Sequence, residues 1–452
     1  MNVLSWLEGI EAQDSVNASA PEVLNTRKRK RRRLPTPSPS AMSSNSKKRR
    51  SDDQGPEYEE EEEEEEDVEE DIDQTPRGRA KAWSISDRTG SSLSRISRTS
   101  PTKRLAILEG ADNPIIVAQI NRSDPRMPEE LKMMLNTLDN FQLRAGIVPF
   151  YLRSSIERRA KWDSNFYNFQ PTTFQNEATE NVMAHATALD PELSLDQVLE
   201  VFLAANECFN GRHPEATWNT LVHWPTFQLA LGAIVEVPKA PPEEDGTQEQ
   251  EHQVRVRAMP CTTARLKGNP RGKKMVDYCM FVEPQNEDLA KLIELWKHPQ
   301  LDYNINHADH YPLRQKPVVL SAESKKPGEG FQEAQVQLSV WQGAQWALLE
   351  CLIEIAKGDG KDTTQPLIPF LPALIIQGHE WSFAATTRSG KQTILWLKQD
   401  IGKTDSVLGV FQIVHALRYI AGWIRETYWP WYQQTILRLS KKSTSDDTGK
   451  GT

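Results

Sequence analysis

The chain has 452 residues, 54 Lys+Arg against 63 Asp+Glu for a formal net charge of -9, and 38% hydrophobic residues. With a mean hydropathy of -0.61 it is too polar to be one compact body, and its net charge excludes nucleic-acid binding by overall positive charge. Cys208, Cys261, Cys279 and Cys351 are dispersed, with no CxxC pair and no Cys/His cluster at zinc spacing, so they read as reduced thiols and exclude a disulfide scaffold.

The opening MNVLSWLEGIEAQD lacks the basic start of a signal peptide, and no apolar run approaches the roughly eighteen residues of a membrane span. The expectation is a protein of the cytosol or nucleus with no membrane partner. Val3, Leu4, Leu7 and Ile10 are near helical spacing, which fits a small partner-binding helix or a frayed end. Residues 27 to 33 are RKRKRRR and 47 to 50 are KKRR, joined by a Pro/Ser-rich spacer. Paired basic clusters of this kind point to an import receptor as partner and to the nucleus; a nucleic-acid tether and a solvated charge run are the rival readings. Phosphorylation at Thr36-Pro37 or Ser38-Pro39 would cut the positive charge beside RKRKRRR. The acidic block Glu57 to Asp73, with eight consecutive glutamates from Glu59, repels itself and reads as a solvating spacer. Residues 1 to 103 are therefore expected to form a disordered tail, and 441 to 452 a disordered C-terminus. Eleven of the thirteen tryptophans lie beyond residue 160, where the apolar surface for one sizeable core is found.

Apolar periodicity begins near Pro128, with Leu131, Met134, Leu135 and Leu138 on one helical face. A second helix is predicted over Asp196 to Phe209 through Val198, Leu199, Phe202 and Leu203, and a third is opened by Pro214 with Glu215, Trp218, Leu221 and Val222. Strands are predicted at 254 to 259, 275 to 282, 317 to 325, 373 to 377, 381 to 386 and 392 to 397. Long helices are predicted at about 331 to 355 and from 406 to about 437. Two polar stretches, 238 to 253 and 284 to 312, are expected to loop out. Helices flanking a mixed sheet define an α/β class.

The strand around Asp277 is apolar on both faces except at that carboxylate, as in a central strand covered by helices. The next strand ends in Glu323-Ser324-Lys325, and the period of two places Glu323 and Lys325 on one face. If the two strands pair, Asp277 and Glu323 converge on one divalent cation, with Lys325 beside it to hold a water or a phosphate charge. The following helix carries Gln337, Leu338 and Trp341.

Asp, then Glu-x-Lys, then Gln-Leu-x-x-Trp resembles the PD-(D/E)XK nuclease superfamily and, more closely, the fungal PD-(D/E)XK nuclease-like domain proteins. Glu215-Ala216-x-Trp218-Asn219, Asn306-His307, Pro369-Phe370-Leu371-Pro372 and Gln377-Gly378-His379-x-Trp381 are similar to segments of that family. The likeness covers roughly residues 104 to 437, and residues 104 to 440 are taken as the domain. It implies a restriction-endonuclease-like core and phosphodiester hydrolysis dependent on Mg2+ (or Mn2+), with DNA as the usual substrate and RNA as a second candidate. By the same resemblance Asp277 and Glu323 are metal ligands, Lys325 positions or activates water, Glu215 is an auxiliary carboxylate and ligand, and Gln337 orients the site. Val276 stands where the superfamily has its proline.

Residues 101 to 452 hold 37 Lys+Arg and 42 Asp+Glu, a net of -5, so any nucleic-acid face is local. Arg265, Lys267, Arg271, Lys273 and Lys274, in the dozen positions before Asp277, are expected to meet backbone phosphates, with a solvated loop as the rival reading. His307, His310 and His379 read as structural, and Trp423, Trp429 and Trp431 as packing of the last helix. A catalytically inactive nuclear nucleic-acid-binding or scaffold protein of the same fold is the alternative to a nuclease.

Overall fold

The computed structural model describes residues 100 to 176, 190 to 233, 254 to 267, 276 to 357 and 366 to 438. The tail with its basic and acidic runs, Arg271, Lys273, Lys274 and the stretch 238 to 253 lie outside the described residues. Helix α1 (Pro101–Glu109), capped by the Ser100 hydroxyl, leads into strand β1 (Ile115–Gln119). Both precede Pro128, where the hydrophobic pattern places the start of folded chain. The β1 run of Ile, Ile and Val is short and only partly buried at a sheet edge, so it carries little periodicity to read.

Helix α2 (Glu129–Gln142) buries the four predicted residues Leu131, Met134, Leu135 and Leu138, with Glu129 and Glu130 in its first turn. After α3 (Arg153–Arg159), α4 (Leu195–Asn210) buries Val198, Leu199 and Phe202, while Leu203 is exposed. Next come α5 (Glu215–Trp218), a π-helical turn (Asn219–His223) and α6 (Trp224–Leu231) in unbroken succession. Pro225 explains the wide turn. A proline ring clashes with the carbonyl four residues back, and the i to i-5 bond from Trp224 N–H to Asn219 O makes room for it. Strands β2 (Arg255–Pro260), β3 (Arg265–Leu266) and β4 (Tyr278–Glu283) follow.

The segment expected to loop out between Asp277 and Glu323 is structured. It forms α7 (Asn286–Trp296) and the two-residue strand β5 (Ala308–Asp309), which pairs with β3. Leu292, Leu301 and Ile305 are buried in it, and Asn306 ties it down by donating from Nδ2 to Lys316 O at 3.0 Å and accepting from Val318 N at 3.1 Å. Its polar composition conceals a helix because only one residue of α7, Leu292, is fully buried. Strand β6 (Val318–Lys325), helix α8 (Phe331–Lys357), strands β7 (Leu371–Gln377), β8 (Glu380–Ser389) and β9 (Gln392–Lys403) and helix α9 (Val407–Trp423) complete the core. From α9 the chain continues helically to Leu437 through two further π turns and α10 (Trp429–Tyr432). This last stretch is long and apolar enough to cross a membrane, yet 72% of its most apolar window is buried inside the fold. Its tryptophans pack as expected: Trp423 stacks on Phe370 with ring centres 4.6 Å apart, and Trp429 is buried.

Seven strands form one mixed sheet in the order β1-β9-β8-β7-β6-β4-β2, with β1/β9 and β7/β6 parallel and the other pairs antiparallel. Each face buries its own apolar layer. Leu320, Ala322, Leu374 and Ile376 meet the α4, α6 and α9 side, while Val318, Ala373, Ile375 and Phe281 meet Leu338, Trp341 and Ala344 of α8. Such double coverage explains why β4 and β6 read as continuous apolar strands rather than alternating ones.

Candidate active site

Strands β4 and β6 do pair, antiparallel, with Tyr278 opposite Ala322. Asp277 stands just before β4, past the last register pair, and its N–H donates to Ala322 O at 2.9 Å, which holds it at the end of β6 that carries Glu323. The two carboxylates, 46 positions apart in sequence, thus come together at the same end of the sheet, and both are fully buried. Taking a carboxylate out of water costs several kcal/mol per ion in real proteins, so each needs compensating partners. Asp277 has them in Ser324, whose N–H and hydroxyl reach its Oδ2 at 2.9 and 2.8 Å. Glu323 has one in Lys325, two residues on and on the same face, whose ammonium is ion-paired with Glu323 Oε1.

Glu215 completes the cluster from the helix side. Its Oε2 stands 3.9 Å from Lys325 Nζ, so Lys325 lies between two carboxylates. A Cβ on Gly330 would fall 2.6 Å from Lys325 Cδ, so the glycine, at φ +69°, lets the backbone close over the lysine stem just before α8. On α8, Gln345 donates to Val318 O at 2.9 Å and Trp341 to Ser321 Oγ at 2.8 Å. The helix therefore runs antiparallel to β6, and Gln337, one turn before Trp341, is half-buried over the Glu323 end of the strand.

Three side chains at this site, Asn219, His223 and Ser324, were not predicted. Glu215, Asn219 and His223 follow one another at four-residue intervals along the α5–π–α6 helix, and Asn219 and His223 form a hydrogen-bonded chain with Ser324. The stripe is legible as spacing, but its meaning depends on Ser324, a residue between two charged ones that sequence treats as a spacer. The basic residues and histidines singled out in the sequence differ in their surroundings. Lys267 donates its ammonium to Leu301 O, and burial lowers its pKa, so its charge is spent on the ordered insertion. Arg265 is exposed on β3. His307 is buried edge-on to Trp341 and burial holds its pKa down at about 3, while His379 lies against Trp218 and faces Thr404 Oγ1 at 3.1 Å. Both fit the structural reading.

The donor set suits a hard cation bound in the manner of magnesium, through one or two carboxylates plus substrate phosphate and water. Among the described residues no group of three or more His, Cys, Asp and Glu side chains is arranged to hold a metal ion, and Glu215 is directed at Lys325.

An α/β sheet that gathers Asp, Glu-x-Lys and a helix-borne glutamate at one end of two adjacent strands defines a nuclease-like class of domain. The family model of the PD-(D/E)XK nuclease superfamily matches residues 155 to 429, and the chain belongs to that superfamily. No curated protein and no solved structure gives a significant match.

Proposed function

We propose that the protein is a metal-dependent nuclease that hydrolyses phosphodiester bonds of DNA in the nucleus. The observation that carries the reading is the convergence of Asp277, Glu323, Lys325 and Glu215 at one sheet end, with both strand carboxylates buried. Burying two carboxylates at one end of a sheet opposes stability, and a functional demand accounts for it better than packing does. Asp277 and Glu323 would hold a Mg2+ or Mn2+ ion, which when bound lowers the pKa of water and offsets charge on the phosphate. Lys325 holds the attacking water or an incoming phosphate oxygen, and Glu215 keeps the ammonium directed there. Gln337 orients the groups above Glu323. Contacts to the phosphate backbone are assigned to Arg265 and to Arg271, Lys273 and Lys274, and the nuclear location rests on the paired basic clusters.

A binding protein without turnover is the second reading, favoured by the Lys325–Glu323 ion pair, which leaves this part of the site internally neutralised. One experiment separates them: the purified full chain is incubated with DNA and RNA in Mg2+ or Mn2+, beside Glu323→Ala and Lys325→Ala. Cleavage by the wild type that both variants lose, by roughly 100-fold or more as for removal of a positioned catalytic group, is the expected result. No cleavage, or cleavage that persists in both variants, overturns the catalytic assignment.

A further inference from the structure

The buried chain behind Asp277 makes more contacts than its hydrogens can serve while Asn219 presents its oxygen to both neighbours, and this fixes the direction of the chain. Ser324 Oγ lies 2.8 Å from Asp277 Oδ2 and 2.7 Å from Asn219 Oδ1, but a hydroxyl has one hydrogen. Asn219 Oδ1 is also 2.9 Å from His223 Nδ1, and His223 Nε2 is 3.0 Å from Gly378 O. A carbonyl only accepts, so His223 carries its hydrogen on Nε2. Burial holds the His223 pKa down at about 4, which keeps the ring neutral and leaves Nδ1 an acceptor. Nδ1 then requires a donor from Asn219. A half turn of the Asn219 amide supplies it, exchanging oxygen for nitrogen at the same point. The amide's two hydrogens go to His223 Nδ1 and Ser324 Oγ, and the Ser324 hydroxyl hydrogen goes to Asp277 Oδ2. Every hydrogen then has one acceptor, and the chain runs in one direction from the amide to the carboxylate. Its start is braced, because Asn219 O accepts from the Tyr278 hydroxyl at 2.8 Å and from Trp224 N–H across the π turn.

We propose that Asn219 and Ser324 are positioning residues for the metal site: the Asn219 amide, oriented by His223, directs the Ser324 hydroxyl onto Asp277 Oδ2 and so fixes the orientation of that carboxylate. The inference rests on the reading of Asp277 as a metal ligand. Partners of ligating carboxylates behave this way generally, and their loss costs about 10- to 100-fold in metal affinity. Sequence gives no hint of it, since the link spans 105 positions between a π turn and a strand end.

The test is calorimetric titration of the full chain with Mn2+ in the absence of nucleic acid, with thermal melting as the control for folding. The variants are Asp277→Asn, Asn219→Ala, Ser324→Ala and the Asn219→Ala/Ser324→Ala double. Asp277→Asn should abolish binding, each single variant should weaken it about 10- to 100-fold, and the double should be no weaker than the poorer single, because both act through one chain. Should Ser324→Ala fail to fold, Asn219→Ala carries the test, since that side chain is only half-buried. Wild-type Mn2+ affinity in both single variants, with Asp277→Asn dead, overturns the positioning role and leaves the site reading standing. Additive losses in the double also overturn it. Wild-type affinity in Asp277→Asn, or no binding by the wild type, removes the site reading and this inference together.

Discussion

The ammonium of Lys325 can serve Glu323 and Glu215 together only while its four-carbon stem lies along β6 beneath Gly330. Alanine at 330 would place a methyl against Lys325 Cδ and Cγ and would hold a non-glycine residue at φ +69°. Gly330→Ala should therefore displace the ammonium by about an ångström, and misplacement on that scale costs up to about 100-fold in rate. The expected outcome is a fall in kcat of ten- to a hundredfold with only a small fall in melting temperature; wild-type kcat in a folded Gly330→Ala protein would show that the stem is not held there. At this scale the sequence was informative about charge and silent about support. Asp277, Glu323 and Lys325 stood out because a charged group in an apolar strand needs a reason. Ser324 and Asn219 lie inside the family-like motifs, but they and Gly330 carried no readable role, since their roles exist only once distant segments meet.

Among the elements, the segment between β4 and β6 departs furthest from expectation. Length and polarity pointed to a loop, yet the chain folds α7 and β5 there and secures them through Asn306. That asparagine accepts from the β6 amide of Val318 and donates to carbonyls of Leu313 and Lys316, so it links the insertion to the strand that carries Glu323. Asn306→Ala would leave these backbone groups buried with a lost partner, at about 1 to 1.5 kcal/mol per bond. A destabilisation of about 3 kcal/mol in urea unfolding is expected from the sum of those bonds; a change below about 1 kcal/mol would mean that the insertion is not anchored at this point. The long strands and helices were legible because their periodicity is sustained over many residues, as in α2, whose four predicted core residues are all buried. The insertion was not, because its buried residues are few and spaced by polar ones, and β1 was not because five residues at a sheet edge offer too little pattern.

The two-faced core buries His223 and His307 fully and His415 in part, and this sets how the fold responds to acid. Burial holds His223 at about 4, His307 at about 3 and His415 at about 4, all below the ordinary 6.5. Above pH 6.5 each is neutral in both folded and unfolded chains, and none contributes a difference. As pH falls below 6.5 the unfolded chain takes up protons that the folded one refuses, so stability is lost progressively until pH reaches the folded values and then levels off. A tenfold difference in proton affinity between the two chains is worth about 1.4 kcal/mol, so one such histidine can remove on the order of 3 kcal/mol by about pH 4. Two half-buried histidines, His310 and His379, are shifted the same way. Glu283 and Glu380, whose pKa values are lowered in the fold, add their effect only below the usual carboxylate value of 4.5. The interval from about pH 6.5 to about 5 therefore lies above the Glu283 and Glu380 effect and is where the histidines act, with Asp190, whose carboxyl burial pushes up, working in the opposite direction as it takes up a proton in the fold. Unfolding free energy measured by urea titration should fall steadily across it, and His307→Gln, which removes a titrating group remote from the Asp277 hydrogen-bond chain, should make that fall shallower. A flat profile in the wild type, or an unchanged slope in His307→Gln, would mean that these rings take up protons inside the fold.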